Sequence, residues 1–216
     1  MSISSAALQI PCARRALFPY DTAGSPRMPG DYTECVNPRG DQFRDGLTRA
    51  CLYVASSFDM SEADSVVMCG KTPNIEALEN FYASCRATPT AQGFAVATTS
   101  AGTTSLNIAR GVRGGNLTVS VGNRATCTAM MLAKIYIHTR PGTAVYLVLP
   151  QDVDQGLQVA VLEVRCAIDG RWLMPALKDF DTNNHSDTPQ TFVDEPAFLD
   201  ELDSRLSALA PFVLGT

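Results

Sequence analysis

Blocks of apolar residues separated by polar, glycine or proline punctuation run along the chain, and the spacing inside each block predicts an element. Phe43, Leu47, Cys51, Leu52 and Val54 recur at close to helical spacing and predict a helix over 43–57. Ser65 to Cys69 is a short apolar run closed by Gly70, which predicts a buried strand. Thr72-Pro73 then opens a helix, with Thr72 as N-cap and Pro73 at the first helical position. That helix is expected to bury Ile75, Leu78, Phe81, Tyr82 and, at its end, Cys85.

A second round follows, with a helix over 99–109, a glycine-rich turn over 111–115, a strand over 117–121 and a helix over 124–138. Pro141-Gly142 stops that helix, and Ala144 to Leu149 is the unbroken apolar run of a central strand. Strands alternating with helices predict an α/β fold whose sheet is largely parallel and covered on both faces. Asp169-Gly170, between 157–168 and 171–174, predicts a hairpin. Residues 19–41, rich in Pro, Gly and Asp, read as an irregular loop.

Past a polar stretch over 181–190, Phe198, Leu199, Leu202, Leu206 and Leu209 form one apolar stripe behind the acidic pair Asp194-Glu195. Such a helix either closes its own core or docks on another chain. The pattern divides the chain into a folded domain over 1–175 and, over 176–216, a polar linker with an amphipathic helix.

Composition narrows the function. A chain of 216 residues, 45% hydrophobic and 18% charged, has the balance of one principal soluble domain. With 17 basic against 22 acidic residues, the net charge of −5 offers no field for nucleic acid. An acidic protein partner would need a local basic patch, for which Arg110 and Arg113, flanking the glycines, are the candidates, unless they are simply solvated. Arg14 and Arg15 follow a short apolar stretch, the reverse of a secretory signal, and the most apolar runs, 125–137 and 144–150, are too short to span a bilayer. A cytoplasmic protein without a membrane span is expected. Seven cysteines, irregularly spaced and without a CxxC pair, predict reduced, mostly buried thiols and neither a disulfide framework nor a metal site.

The chemistry concentrates in Leu117 to Ala133, a strand that turns abruptly into an apolar helix. Free N–H groups at a helix N-terminus favour a thiolate and, later, an oxyanion, so this is suitable architecture for thioester chemistry. Here the chain resembles the N-terminal lobe of the β-ketoacyl synthases, members of the thiolase-like fold. Thr118-Val119 open the strand, Ala129 and Ala133 take the small helix positions, and Tyr146 to Leu149 corresponds to the next core strand. Upstream, Pro89-Thr90, Phe94 and Thr99 to Thr103 look like further degenerate motifs of that family, so that the likeness covers roughly residues 45–168. The resemblance implies a single thiolase-like lobe with a mostly parallel mixed sheet covered by helices, half of the usual two-lobe subunit.

Two departures from the family set the functional expectation. Asn123 occupies the place of the nucleophilic cysteine, and its amide cannot hold an acyl chain as a thioester. The family's condensing histidines lie in a second lobe, whereas the two here, His138 and His185, end a helix and sit in the polar tail. Asn123 then caps the helix or holds a pocket wall. Cys127, taken to lie one turn into the helix, is a core residue or a rival nucleophile, and Met130 and Met131 pack the core or line a pliable acyl channel.

The resemblance therefore implies a non-catalytic subunit similar to a chain length factor, like the small partners of aryl polyene and type II polyketide ketosynthases. Its partner would be a full-length ketosynthase, joined as a heterodimer along Leu117, Thr118, Val119, Ser120 and Val121. The chain itself would need no cofactor, acyl groups arriving on the phosphopantetheine of an acyl carrier protein that meets Arg110 and Arg113. Two alternatives are a small acyltransferase or thioesterase using Cys127, for which no GxSxG elbow is present, and a homodimeric acyl-binding scaffold.

Overall fold

The structure, a computed structural model, describes residues 8–70, 75–85, 97–120 and 125–166. In chain order its elements are β1 (Leu8–Pro19), α1 (Tyr32–Cys35), a 3₁₀ turn (Asp41–Phe43), α2 (Gly46–Ala55), β2 (Ser65–Cys69), α3 (Ile75–Ser84), α4 (Ala101–Arg110), β3 (Gly115–Val119), α5 (Ala125–Thr139), β4 (Val145–Val153) and β5 (Gly156–Cys166).

Five strands, in the order β1-β5-β4-β2-β3, make one mixed sheet among the described residues. β4, β2 and β3 run parallel, while β5 and β1 add antiparallel pairings. Strand burial explains the order: every residue of β2 and Val145 to Pro150 of β4 are buried, as in strands covered on both faces. Alternate side chains feed two cores. On one face Val67, Cys69, Leu147, Leu149 and Leu162 pack with Ala129, Ala133 and Ile137 of α5. On the other, Val66, Met68, Tyr146, Val148 and Val161 pack with Ala50, Cys51 and Val54 of α2 and with Leu106 of α4. The result is a single α/β lobe, a mixed sheet with helices on both sides, as the sequence leads one to expect.

Local chemistry moves several boundaries. The first helix begins at Gly46 rather than Phe43, because the Asp45 carboxylate accepts the Thr48 N–H at 2.7 Å and caps the end, leaving Phe43 39% exposed in the preceding turn. α3 forms as expected, but Leu78 and Tyr82 are 42% and 71% exposed and Cys85 is exposed, so its apolar side is not buried within the described residues. β1 has no counterpart in the sequence reading. Pro11 and the pair Arg14-Arg15 interrupt its apolar run, which an edge strand tolerates, and its register slips between Gln9 and Cys12 around the proline. Within residues 19–41, which read as loop, Tyr32–Cys35 forms one helical turn tied down by the Tyr32 hydroxyl on Asp41, at 2.6 Å.

The hairpin observed is β4 to β5, turning at Asp154-Gln155; the one expected at Asp169-Gly170 lies outside the described residues. Gly156 begins β5 at a φ of 150°, and a Cβ there would stand 2.2 Å from the Phe18 carbonyl of β1, so the strand pairing itself requires glycine. Of the six cysteines described as free, only Cys51 and Cys69 are buried, Cys12 is half-buried, and Cys35, Cys85 and Cys166 are exposed, fewer buried thiols than expected. Burial pushes the Cys51 thiol far above its ordinary value, so it packs as an inert apolar group.

Candidate functional site

The site grows from the turn before β3. Gly111 closes α4 in the left-handed conformation, and its backbone N–H reaches the Asn107 carbonyl. The Arg113 and Gly114 N–H groups then donate to the carbonyls of Glu62 and Asp64, at 2.7 and 2.9 Å. A Cβ on Gly114 would sit 2.1 Å from the Ala63 carbonyl oxygen, so only glycine lets the turn lie against the start of β2. Asp64, 2% exposed, anchors the same corner. One carboxylate oxygen accepts the Ala144 N–H and the other the Ser61 N–H, both at 2.8 Å. No feature of the sequence reading singled out Asp64; a lone Asp before an apolar run gives no sign of the Ala144 N–H it meets 80 residues away.

β3 lies at the edge of the sheet and pairs, among the described residues, with β2 alone, from Ser65↔Gly115 to Cys69↔Val119. Leu117 and Val119 turn to the α5 side. Thr118 turns to the α4 side, where its hydroxyl lies 3.1 Å from that of Thr103. Asn116 is exposed, with its amide 3.5 Å from the Thr104 hydroxyl, and Ser120 is exposed beyond the strand end. Val121 lies outside the described residues.

β3 (Gly115–Val119) and α5 (Ala125–Thr139) supply the strand and the helix of this motif, and residues 121–124 between them lie outside the described residues. Asn123 lies outside the described residues, as do the side chains of Cys127 and Met130. Cys127 lies in the described part of α5, which runs from Ala125 to Thr139. Ala129 and Ala133 are wholly buried and let α5 lie close on the sheet, as small residues at those positions predict. Met131, two residues from each, is 40% exposed on the side turned away from the sheet. His138 stands in the last turn of α5 and is exposed, eleven residues from Cys127 and so about 16 Å along the axis, too far to serve it as a base.

The two candidate arginines differ. Arg110 is half-buried and gives an Nη hydrogen bond to the Phe58 carbonyl. Arg113 is 80% exposed at its side chain and pairs with Glu62 at 3.0 Å, an exposed contact that costs little to open. Among the described residues no group of His, Cys, Asp and Glu is placed to hold a metal ion, and no helix is long and apolar enough to cross a membrane.

No family model matches the chain, and no curated protein matches its sequence. Solved structures do match its fold. One is the complex of a ketosynthase, ApeO, with its chain length factor, ApeC, from Xenorhabdus doucetiae: TM-score 0.57 at 11% identity, over 74% of this chain and 79% of that one. A second is the ishigamide ketosynthase/chain length factor, with a TM-score of 0.55 at 16% identity over 65% of this chain. A third is ketosynthase twelve of the bacillaene polyketide synthase in Bacillus amyloliquefaciens, with a TM-score of 0.50 at 12% identity over 80% of this chain. The chain has a ketosynthase-like fold. It spans only 49% of the ishigamide chain and 42% of the bacillaene ketosynthase, the extent of a single lobe. In this ketosynthase-like lobe β3 and α5 are the strand and the helix on which the sequence resemblance rests, and β3 is the parallel edge of the described sheet.

Proposed function

We propose that the chain is a non-catalytic, chain-length-factor-like subunit that pairs with a full-length ketosynthase and shapes the tunnel for its growing acyl chain. The observation that carries this is the edge position of β3, whose described pairing is to β2 alone, flanked by α4 and α5. A strand paired on one side is a template for another chain. α4 exposes Ile108 at 78%, an apolar side chain beside that edge helix's polar surface and suited to an interface. The likeness to two structures titled as ketosynthases with chain length factors supports the same reading.

In this reading Leu117 to Val121 form the seam of a heterodimer. Asn123 replaces the nucleophile, so the cysteine and histidines for condensation come from the partner, and Asn123, Cys127, Met130 and Met131 provide a wall. Arg113, with Arg110 behind it, faces an acidic acyl carrier protein whose phosphopantetheine delivers the chain. The setting is cytoplasmic type II polyketide or fatty-acid-like biosynthesis, of which aryl polyene assembly is one form, and the lobe ends by residue 175.

Co-expression with a ketosynthase encoded beside this gene tests the proposal. The two are expected to elute together, and omission of this chain should change the length distribution of products. Separate elution, with unchanged elongation by the ketosynthase alone, overturns it.

A further inference from the structure

Two described helices each leave an apolar side uncovered, and their charges are opposite. Of the 15 residues of α5, Lys134 and His138 are the only basic or acidic ones, and Arg140 follows its end. One side packs on the sheet through Ala129, Ala133 and Ile137. The other carries Met131 and Ile135, one turn apart and 40% and 47% exposed, with His138 exposed on the next turn. A helix that is apolar on both sides is the kind that is covered on both sides. α3 has the complementary character. It carries Glu76 and Glu79 and no basic residue, and no other described element packs along it. Leu78 and Tyr82, one turn apart, are 42% and 71% exposed, and Glu79 beside them is exposed.

We infer that α3 of one copy of this chain docks on the outer side of α5 of a second copy. The four-residue spacing is the same on both helices, so when they run parallel Leu78 meets Met131 and Tyr82 meets Ile135. At 3.6 residues per turn Glu79 then falls on the side of Lys134. α3 is about 15 Å long and fits within the about 22 Å of α5. Charge selects this pairing, because two α5 faces together, or two α3 faces, would set like charges against each other. Both halves of the contact stand in one chain, and a two-fold pair makes it twice, so association closes at a dimer. Neither the β3 seam nor the tunnel is needed: Met131 borders this face, but Ile135, Lys134 and Glu79 carry the contact.

A photoreactive residue at Tyr82, in full-length chain mixed with isotope-labelled copies, tests the docking. The expected product joins a labelled to an unlabelled chain, from position 82 to 131–138. A link within one chain, to a segment other than α5 or only to an added ketosynthase overturns the inference, and so does no link. Sedimentation gives an independent measure. Glu79→Lys and Lys134→Glu should each weaken self-association at least about tenfold, and the chain carrying both should recover it. Single variants that match the parent, a double variant that fails to recover, or a parent that stays monomeric overturns the inference even where the cross-link forms.

Discussion

The hydroxyls of Thr103 and Thr118 lie 3.1 Å apart and join α4 to the edge strand β3. Thr103 gives its own proton to the Ser100 carbonyl at 3.0 Å, so the shared proton is that of Thr118. Thr118→Val therefore removes one neutral bond and should cost about 0.5 to 1.5 kcal/mol. Thr103→Val also removes the bond to Ser100 and strands the Thr118 donor, and should cost about 1 to 3 kcal/mol. Chemical denaturation of both variants checks the order; equal losses would remove the assigned proton direction.

Two glycines should respond differently to alanine. At Gly114 the new Cβ meets the backbone carbonyls of Ala63 and Asp64, at 2.1 and 2.3 Å, and the turn before β3 must move. A loss of roughly 2 to 4 kcal/mol is expected. At Gly102 it meets only the tip of Met68, at 2.9 Å, which can swing aside. Alanine's helix preference of about 1 kcal/mol offsets that adjustment, so Gly102→Ala should stay within about 1 kcal/mol of the parent. Thermal midpoints measured side by side decide the matter.

Alkaline titration should find two tyrosines that resist ionisation. Burial, with the nearby Asp41 carboxylate as a smaller cause, pushes Tyr32 up to about 12. Burial first and the Glu163 charge second do the same for Tyr146. Unfolded tyrosine ionises near pH 10. Both states are neutral below that, so these groups leave stability flat there and lower it as pH rises from about 10 to 12. Tyrosinate absorbance should show the two ionising last, and Tyr146→Phe should remove one late step; titration of all six near pH 10 while folded would contradict the burial.

The open edge gives a direct handle on partnership. Asn116 is exposed on β3, and lysine there places a charge on the edge without entering either core. Asn116→Lys should weaken association with a ketosynthase at least about tenfold, with the denaturation midpoint unchanged. Undiminished association would place the seam elsewhere.

Asp64 holds two N–H groups with two oxygens. Asn can accept one of them and sets an N–H₂ against the other, so Asp64→Asn should cost about 1.5 to 3 kcal/mol. The amides of Ser61 and Ala144 should lose exchange protection together, and retention of both would show that the carboxylate is dispensable.

Much of the fold was legible because apolar runs and punctuation are local. Ser65–Cys69 and the run from Ala144 betray buried strands by composition alone, and Ala129 and Ala133 mark a helix lying close on its sheet. β1 escaped because an edge strand tolerates Pro11 and paired arginines, which break the pattern that announces a central strand. Leu78 and Tyr82 misled in the opposite direction: helical spacing identifies an apolar side but not what covers it.

The sequence by itself determined which segments are strands and helices in the alternating middle of the chain. These follow from side-chain chemistry and spacing within a few residues. Only the tertiary structure decided that β3 lies at the edge, that β5 turns back from β4 to pair with β1, and that Asp64 ties β2 to the start of β4. Such pairings are made by backbone groups, which every residue carries, between segments tens of residues apart, so no local pattern records them.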